Sequence, residues 1–342
     1  MSDLPMDVAN NLRQQLKDCK LVIVDEISMV GSTIFSRIDT RLRQITGRNE
    51  SFGGLSVITV GDFLQLPPVK DSAIFLTPRH SLIKTNISPL WGEFNLYELT
   101  EVMRQKDDLS FVKALNSFAR GEMTDEDIKI IKSREIEEDQ VPDEAIRLYY
   151  TNANVNKYND KKISESLASE IECNAVDTIT GKLKPNQRAT KIKMWRERPT
   201  KDCGGYPYTI RFKEGIKYML TANLDVADGL VNGATGVLKY VFCNPGTEKP
   251  SIVFLKFDSI NVGKKIRNQY RNFMENNRIN LSWTPIPRKV YNLTTHFQKD
   301  YQMIRDQFPI VPCEALTIHK SQVKHTDMFV LILGSLVTLP VS

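Results

Sequence analysis

The sequence predicts an α/β protein with a parallel sheet, and three observations lead to that class. The runs Leu21–Val24 and Leu55–Val60 are almost wholly apolar, as are parallel strands that are covered on both faces. Residues 32–45 lie between them and place apolar side chains on one helical face, with arginines elsewhere. The order strand, helix, strand is that of the unit that joins parallel strands.

The remaining elements follow from the same spacing arguments. Val8, Leu12 and Leu16 recur every four residues after Pro5, which predicts a short amphipathic helix before the first strand. The same reasoning predicts helices over residues 108–119 and 124–133 and from about Ala153, a strand in AIRLYYTN, and a return to α/β character at residues 315–322.

The stretch from about residue 205 to residue 300 has a different character. Its short β-rich runs, IKYMLTAN, ATGVLKYVFC and SIVFLKF, alternate with turns that contain Gly, Asn and Pro. This rhythm is typical of a small β-barrel or sandwich. We interpret the basic run KKIRNQYRNFMENNR within this stretch as a solvated surface rather than a specific site.

Composition narrows the class of protein. The 342 residues are enough for two or three domains, and the formal net charge of +5 permits a nucleic-acid partner without requiring one. The five cysteines are widely spaced and form no CxxC pair, and the four histidines form no HxxxH pattern, so we predict no structural metal site. No signal peptide and no apolar run of about 18 residues occurs, which predicts a chain that does not span a membrane.

The first candidate site is the acid pair Asp25-Glu26, which follows the first apolar strand in LVIVDEISMV. Two readings fit this pattern. The strand can simply leave the core and place its carboxylates in water. Alternatively, the pair is the Walker B arrangement of P-loop ATPases, in which the first acid holds Mg²⁺ and the second orients the attacking water.

The second candidate site is the turn GDFLQLPPV, which follows the second apolar strand. It carries Asp62 and Gln65 ahead of Pro67-Pro68, and two prolines hold a loop in an extended shape. A glutamine beside the acid pair could sense a γ-phosphate. The alternative is a rigid turn without chemistry.

Two further segments are rich in turn or donor residues. Asn232-Gly233, with Gly236 close behind, lies where a tight hairpin needs a positive φ, although these residues also fit a hairpin without a ligand. The segment TIHKSQ, residues 317–322, gathers one cation and several neutral donors in one turn. Such a turn suits a phosphate backbone rather than base edges.

Taken together, these segments resemble the Pif1/RecD-like superfamily 1B DNA helicases, the Pif1-like branch in particular. LVIVDEISMV and GGLSVITVGDFLQLPPV match the family's motifs II and III, and ALTIHKSQ matches motif V. LTEVMRQKDDLSFVKALNSFARGEMT, YYTNANVNKYN and MLTANLDVADGLVNGATGVL match further blocks in the family's order. The resemblance therefore covers essentially the whole chain.

The resemblance implies the fold and the domain division. It implies RecA-like P-loop helicase domains, parallel sheets flanked by helices, with a small SH3-like β insert. Residues 1–100 are expected to be part of domain 1A, residues 101–220 and 311–342 to form domain 2A, and residues 221–310 to form the 2B insert.

The resemblance also implies an activity and a role for each matched residue. The expected function is ATP-dependent 5′→3′ translocation on single-stranded DNA with duplex unwinding, by a monomer that uses Mg²⁺ and ATP. Its expected substrate is forked or structured DNA. The expected processes are DNA repair, recombination and telomere maintenance, in the nucleus or mitochondrion. Asp25 is expected to hold Mg²⁺ through water, Glu26 to be the general base, and Gln65 and Arg104 to couple the γ-phosphate to domain closure. The residues expected to contact DNA are Asn152, Thr317, His319, Lys320, Ser321 and Gln322.

Two family motifs are missing from the sequence. Neither Gly181-Lys182 nor Gly263-Lys264 fits G-x-x-x-x-G-K-[ST], so no Walker A loop is present to hold the phosphates. No motif VI follows motif V. Directly after motif V, Val323 replaces the glycine that is usual in the family. We therefore expect a truncated chain that alone neither hydrolyses ATP nor unwinds DNA efficiently, and that exposes an apolar edge or face of the strand Leu21–Val24.

Two other functions compete with the helicase. The first is a catalytically inactive DNA-binding or interaction module, such as a remnant of a Helitron-type mobile-element helicase. An upstream exon encoding G-x-x-x-x-G-K-[ST] would favour the helicase, and stop codons there would favour the remnant. A P-loop signalling ATPase without nucleic acid is the weaker alternative, because it leaves GLVNGATGVL and TIHKSQ unexplained.

Overall fold

The computed structural model divides the chain into two compact units, Met1–Ser133 and Arg134–Ser342. The first unit includes the helices that the sequence-based division placed in the second domain, and that division stays a prediction. The structure describes residues 3–77, 90–101, 108–142, 145–247, 249–294, 301–321, 329–332 and 338–341. Within these residues no helix is long and apolar enough to cross a membrane.

The first unit contains a parallel pair of strands flanked by helices. Strand β1 pairs with β2 in parallel register, from Leu21 opposite Ser56 to Val24 opposite Thr59. The predicted strands and helices of this unit are confirmed. Its elements are α1 (Met6–Gln15), β1 (Leu21–Val24), α2 (Ser32–Thr46), β2 (Ser56–Thr59), α3 (Leu109–Arg120) and α4 (Asp125–Lys132).

The two faces of this sheet differ in burial. Val22, Val24 and Val57 pack against a core that contains Phe35 and Leu42 of α2. On the other face Leu21, Ile23 and Ile58 are exposed, Ile23 at 63%. Full burial of β1 on both faces was therefore wrong for the described residues, and the expectation of an exposed apolar face is confirmed. Both follow from the same fact, that α2 and its neighbours cover one side of a two-stranded sheet.

The second unit begins with a small, mostly parallel sheet in the strand order β14-β3-β15-β16. Strands β14 and β15 both pair with β3 in parallel, and β16 is antiparallel to β15. The predicted strand in AIRLYYTN, the helix after it and the α/β character of residues 315–322 are confirmed as β3 (Ile146–Tyr149), α5 (Asn152–Glu165), β14 (Ala315–Thr317) and α9 (Ile318–Ser321). Strands β15 (Phe329–Ile332) and β16 (Thr338–Val341) were not predicted.

Between these ends the chain forms antiparallel sheets. A five-stranded sheet has the order β10-β9-β8-β7-β13, a three-stranded sheet has the order β11-β12-β5, and β4 pairs with β6. The β-rich runs predicted from the sequence are strands β7, β8 and β9. The bounds are β4 (Ile171–Asn174), β5 (Val176–Gly181), α6 (Pro185–Arg196), β6 (Thr209–Phe212), β7 (Lys217–Leu220), β8 (Thr235–Cys243), β9 (Pro250–Phe257), α7 (Lys264–Gln269), α8 (Arg271–Asn276), β10 (Thr284–Pro287), β11 (Lys289–Asn292), β12 (Tyr301–Gln307) and β13 (Ile310–Pro312).

The five-stranded sheet carries the largest core of this unit. Tyr218, Leu238 and Leu255 have no exposed surface and pack with Phe308 and Ile310. In the loop between β7 and β8, Gly233 has a φ of 94° and donates its N–H to the carbonyl of Leu220 at 2.9 Å. The predicted positive φ is therefore found at Gly233. Glycine adopts a positive φ without strain.

Candidate functional sites

The predicted acid pair and the predicted glutamine loop leave the same edge of one parallel sheet. Asp25-Glu26 follows β1, and Gly61-Asp62 follows β2 after one further residue. Backbone hydrogen bonds join the two exits, because Val60 donates to the Val24 carbonyl at 2.9 Å and Ile27 donates to the Val60 carbonyl at 3.0 Å. The carboxyl ends of parallel strands are where α/β proteins bind ligands.

The backbone at the acid pair is strained. Glu26 has φ 51° and ψ 47°, a left-handed conformation that is uncommon for a residue with a side chain. Its N–H donates to Oδ1 of Asp25 at 2.8 Å, which holds the first carboxylate against the turn. Asp25 is exposed and Glu26 is half-buried. Strain of this kind clusters at functional sites, where the surrounding structure maintains it.

Gln65 lies in a turn that is organised by Asp62. Leu64 donates its backbone N–H to Oδ1 of Asp62 at 2.9 Å, and Gln65 donates its backbone N–H to the Asp62 carbonyl at 3.0 Å. The side chain of Gln65 is exposed and its Nε2 is 3.4 Å from Oδ2 of Asp62. Arg104, the other predicted γ-phosphate contact, lies outside the described residues.

Sequence reasoning missed Asp71, which joins the glutamine loop to helix α2. Its Oδ1 accepts from the Thr33 hydroxyl at 2.8 Å, and its Oδ2 accepts from the Thr33 backbone N–H at 3.1 Å. Helix α2 has no side-chain cap from Gly31, so Asp71 satisfies a free amide of its first turn. Only glycine suits position 31, because a Cβ there would lie 2.1 Å from Oδ2 of Asp71.

We expect Asp71→Ala to destabilise the first unit by about 1–3 kcal/mol, since it leaves the start of α2 uncapped. Burial of the carboxyl acts to raise its pKa, but hydrogen bonds from Thr33 and Ser72 lower the pKa of Asp71 below its usual value. The contribution is therefore complete above the ordinary pKa of an aspartate and is lost as the pH falls through the lowered one. Urea unfolding at neutral and acidic pH measures both effects.

Asp18→Ala, which removes an exposed acid of the same unit, is the control for this prediction. It should change stability by less than about 0.5 kcal/mol. Equal losses in the two variants would show that Asp71 does not hold the loop to α2.

In the second unit the predicted DNA contacts come from two segments that meet at one sheet edge. Strands β3 and β14 run in parallel with Tyr149 opposite Thr317, so α5 and α9 both begin at their carboxyl ends. Asn152 is the first residue of α5, and His319 and Lys320 lie in α9, all three with exposed side chains. Residues far apart in sequence are therefore brought together at this edge.

The other predicted contacts are less open. Thr317 is 6% exposed as the last residue of β14, and the hydroxyl of Ser321 donates to the Ile318 carbonyl at 2.8 Å. Gln322 lies outside the described residues. The exposed side chains of His319 and Lys320 are thus the ones that this turn offers to a phosphate backbone.

Sequence reasoning also missed Asn159, which ties α5 to β14. Its Oδ1 accepts from the Ala315 N–H at 2.8 Å, and its Nδ2 donates to the carbonyls of Pro312 and Ala315 at 3.3 Å. It is 7% exposed and lies on the buried face of α5 between Val155 and Ile163. A polar residue within an apolar stripe of period four was the signal that could have revealed it.

The DGLVNG block has a structural role in this chain. The Asp228 carboxylate accepts from the backbone N–H groups of Lys265 and Ile266 at 2.8 and 3.0 Å and so fixes the start of α7. Asp225 pairs with the Lys265 ammonium at 2.6 Å, a contact that lowers the pKa of Asp225 and raises that of Lys265. The basic run is therefore partly structural, because these contacts hold α7 in place.

The comparisons identify the relatives of this chain. The family model described as PIF1-like helicase matches residues 1–128. The ATP-dependent DNA helicase PIF1 of Danio rerio is 30% identical over 311 residues, which cover 89% of this chain and 40% of that protein. The chain is related to the Pif1-like helicases. Its Xenopus laevis relative of the same name is 31% identical over 240 residues, which cover 66% of this chain and 33% of that protein.

Solved Pif1 structures establish the fold of this Pif1-like chain. The Pif1 helicase of Candida albicans superposes with a TM-score of 0.68 at 21% identity, covering 95% of this chain and 69% of that one. Bacteroides Pif1 bound to single-stranded DNA superposes with a TM-score of 0.63 at 20% identity, covering 99% of this chain and 69% of that one. The predicted RecA-like α/β class is confirmed. This Pif1-like chain spans less than half the length of the curated relatives that it matches.

Proposed function

We propose that this Pif1-like chain binds the single strand in an ATP-dependent DNA helicase that moves 5′→3′ on single-stranded DNA and unwinds duplexes. The observation that carries the proposal is the meeting of Asn152, His319 and Lys320 at the carboxyl edge of β3 and β14. One cation, an imidazole and an amide, all exposed, suit the phosphates of a single strand without reading its bases. The single-stranded DNA bound to Bacteroides Pif1 supports the choice of ligand.

The first unit would contribute the acidic side of the nucleotide site. Mg²⁺ is usually held by one or two carboxylates together with waters and substrate phosphates, and exposed Asp25 at a strand end fits that use. When bound, Mg²⁺ would neutralise the phosphate charge. Asp25 would hold the ion through water, Glu26 would accept a proton from the attacking water, and Gln65 with Arg104 would contact the γ-phosphate. The complex of Bacteroides Pif1 with ADP-AlF3 and single-stranded DNA supports nucleotide use.

The domain names follow the same proposal. Residues 1–100 would be part of domain 1A, residues 101–220 and 311–342 domain 2A, and residues 221–310 the SH3-like 2B insert. Action on forked or structured DNA as a monomer, in the nucleus or mitochondrion, belongs to the same proposal. The similarity to the PIF1 helicases of Homo sapiens and Saccharomyces cerevisiae supports action on DNA, and the solved structure of two coordinating Pif1 helicases at forked DNA supports the choice of forked DNA.

One sequence feature favours a second function, a DNA-binding module without ATP turnover. No G-x-x-x-x-G-K-[ST] segment occurs in the 342 residues, and that loop supplies the main phosphate contacts in P-loop enzymes. Both functions use the residues that meet at the carboxyl ends of β3 and β14, a surface that we call the strand-binding edge because it would bind a single DNA strand. They differ in whether bound nucleotide changes the affinity for DNA.

The test is the binding of a labelled single-stranded oligonucleotide, measured by fluorescence anisotropy over a range of salt concentrations with and without Mg²⁺ and a non-hydrolysable ATP analogue. We expect affinity to fall steeply with salt, and we expect Lys320→Ala to reduce the slope of log K against log salt by about 0.7, the value for one phosphate contact on a single strand. A response to nucleotide favours the helicase, and its absence favours the module.

Lys256→Ala is the matched control, because Lys256 is an exposed lysine on β9 of the five-stranded sheet. It should leave the salt slope unchanged. An equal slope change in both variants, or no binding at low salt, would contradict the proposed contact between Lys320 and the DNA phosphates.

A further inference from the structure

The carboxyl edge of β3 carries an exposed aromatic residue that sequence reasoning did not single out. Tyr150 is 78% exposed and lies between the last residue of β3 and Thr151, which precedes α5. A single exposed tyrosine is common on protein surfaces and proves nothing alone. Its position beside the proposed phosphate contacts is what gives it a role.

Register places Tyr150 at the strand-binding edge. Tyr149 and Thr317 lie opposite each other as the last residues of two adjacent parallel strands. Tyr150 therefore directly follows β3, as Ile318, the residue before His319 and Lys320, directly follows β14. Adjacent strands lie about 4.8 Å apart. An aromatic ring and exposed polar side chains therefore leave the sheet together, which is the combination that sequence-tolerant single-strand binders use.

Contacts of the two neighbouring residues hold the backbone on both sides of Tyr150. Before it, the ring of Tyr149 packs near that of Tyr158 of α5, with centroids 5.8 Å apart. After it, the hydroxyl of Thr151 accepts from the Asn154 N–H at 3.2 Å and caps α5. Because the backbone is held at both neighbours, the exposed ring is presented to a ligand with little ordering of the chain.

We propose that Tyr150 is a stacking platform for one base of the single strand whose phosphates contact His319 and Lys320. The ring would take any base, because every base offers a π-face, and so it adds affinity without sequence preference. This inference rests on the proposed function, since it needs a nucleic-acid strand at the same edge. It goes further by assigning a contact with a base to a residue that is not among the predicted DNA contacts.

The experiment compares a labelled oligothymidylate with an abasic oligonucleotide of equal length and backbone charge. The intact chain should bind the oligothymidylate more tightly. Tyr150→Ala should weaken binding of the oligothymidylate by about 5- to 100-fold, the range for loss of one stacked base, with little change for the abasic strand. Tyr150→Phe should retain the difference, because it keeps the ring and loses only the hydroxyl.

Tyr97→Ala is the control for loss of an exposed aromatic ring, since Tyr97 is 85% exposed in the first unit. It should bind both strands as the intact chain does. Equal losses by Tyr150→Ala on both strands, or no loss on either, would overturn the stacking role while leaving strand binding intact. Failure of the intact chain to bind either strand at low salt would overturn the proposed function, and the stacking role with it.

Discussion

Asp177→Ala is expected to destabilise the second unit by about 3–5 kcal/mol, the usual effect of removing one partner of a buried ion pair. Asp177 lies on β5 and Arg305 on β12, and their side chains are 0% and 1% exposed. Two parallel contacts of 2.8 and 2.9 Å join the carboxylate to the guanidinium. Without Asp177 the Arg305 charge remains buried without its counter-ion.

The remaining bonds of Arg305 do not replace the carboxylate. Its other N–H groups donate to the carbonyls of Tyr206 and Trp195 at 2.8 and 3.3 Å, which satisfies hydrogen bonding but not charge. Through these bonds Arg305 joins β12 to α6, which contains Trp195, and to Tyr206 beyond that helix. The ion pair with Asp177 holds the guanidinium in the position that makes them. We therefore expect its loss to loosen the core around Trp195, which is 2% exposed.

Urea unfolding followed by Trp195 fluorescence, with Trp91 and Trp283 replaced by Phe, measures this loss locally. Glu275→Ala is the control, because Glu275 forms an exposed pair with Arg271 at 3.0 Å within one helix. Such pairs contribute about 0.3–0.5 kcal/mol. A loss below about 1 kcal/mol in Asp177→Ala would mean that Arg305 gains water or another partner when the aspartate is removed.

The local elements of this chain could be predicted because their signals are local. Apolar runs predicted β1 and β2, and the four-residue spacing of Val8 and Leu12 predicted the helix α1 before them. Acid or glycine residues at strand ends indicated the carboxyl edge where ligands bind. Each of these signals needs only neighbours in sequence, so a single sequence contains it.

The contacts that assemble the sites could not be predicted in the same way. Asp71 caps a helix that begins 39 residues earlier in the chain, at Ser32, and Asn159 binds a strand more than 150 residues away. Asp71 belongs to no pattern of residue types, and the apolar stripe around Asn159 indicates its buried helical face but not its partner. The pairing of β5 with β12, and hence the Asp177 and Arg305 contact, likewise depends on register between distant strands. Long-range pairing is decided by packing of the whole unit rather than by local propensity.

Burial was the other quantity that the sequence did not determine. LVIV is equally apolar at each position, yet Leu21 and Ile23 are exposed while Val22 and Val24 face the core. An apolar run of four residues carries no alternation from which the covered face can be chosen. The same holds for Tyr150, whose exposure depends on where β3 ends rather than on its residue type.

Asn159→Ala is expected to have the second large effect, because one side chain fixes both segments of the strand-binding edge. The substitution leaves the buried N–H of Ala315 and two carbonyls without the amide, which costs about 2–4 kcal/mol in stability of the second unit. It also frees β14, and the His319–Lys320 turn behind it, from α5, which begins at Asn152. We therefore expect weaker single-strand binding, by roughly five-fold for each 1 kcal/mol of lost preorganisation.

Two measurements separate these effects. Hydrogen exchange at the Ala315 amide should accelerate in Asn159→Ala under conditions where the whole unit stays folded, because that amide loses its acceptor. Asn156→Ala, an exposed substitution on the same helix, is the control and should change neither exchange nor DNA affinity. If Asn159→Ala lowered stability but bound DNA with unchanged affinity and salt dependence, α5 and β14 would contribute to binding independently. The strand-binding edge would then be two separate contacts rather than one preorganised surface, because the bond that joins its two segments would have no effect on the ligand.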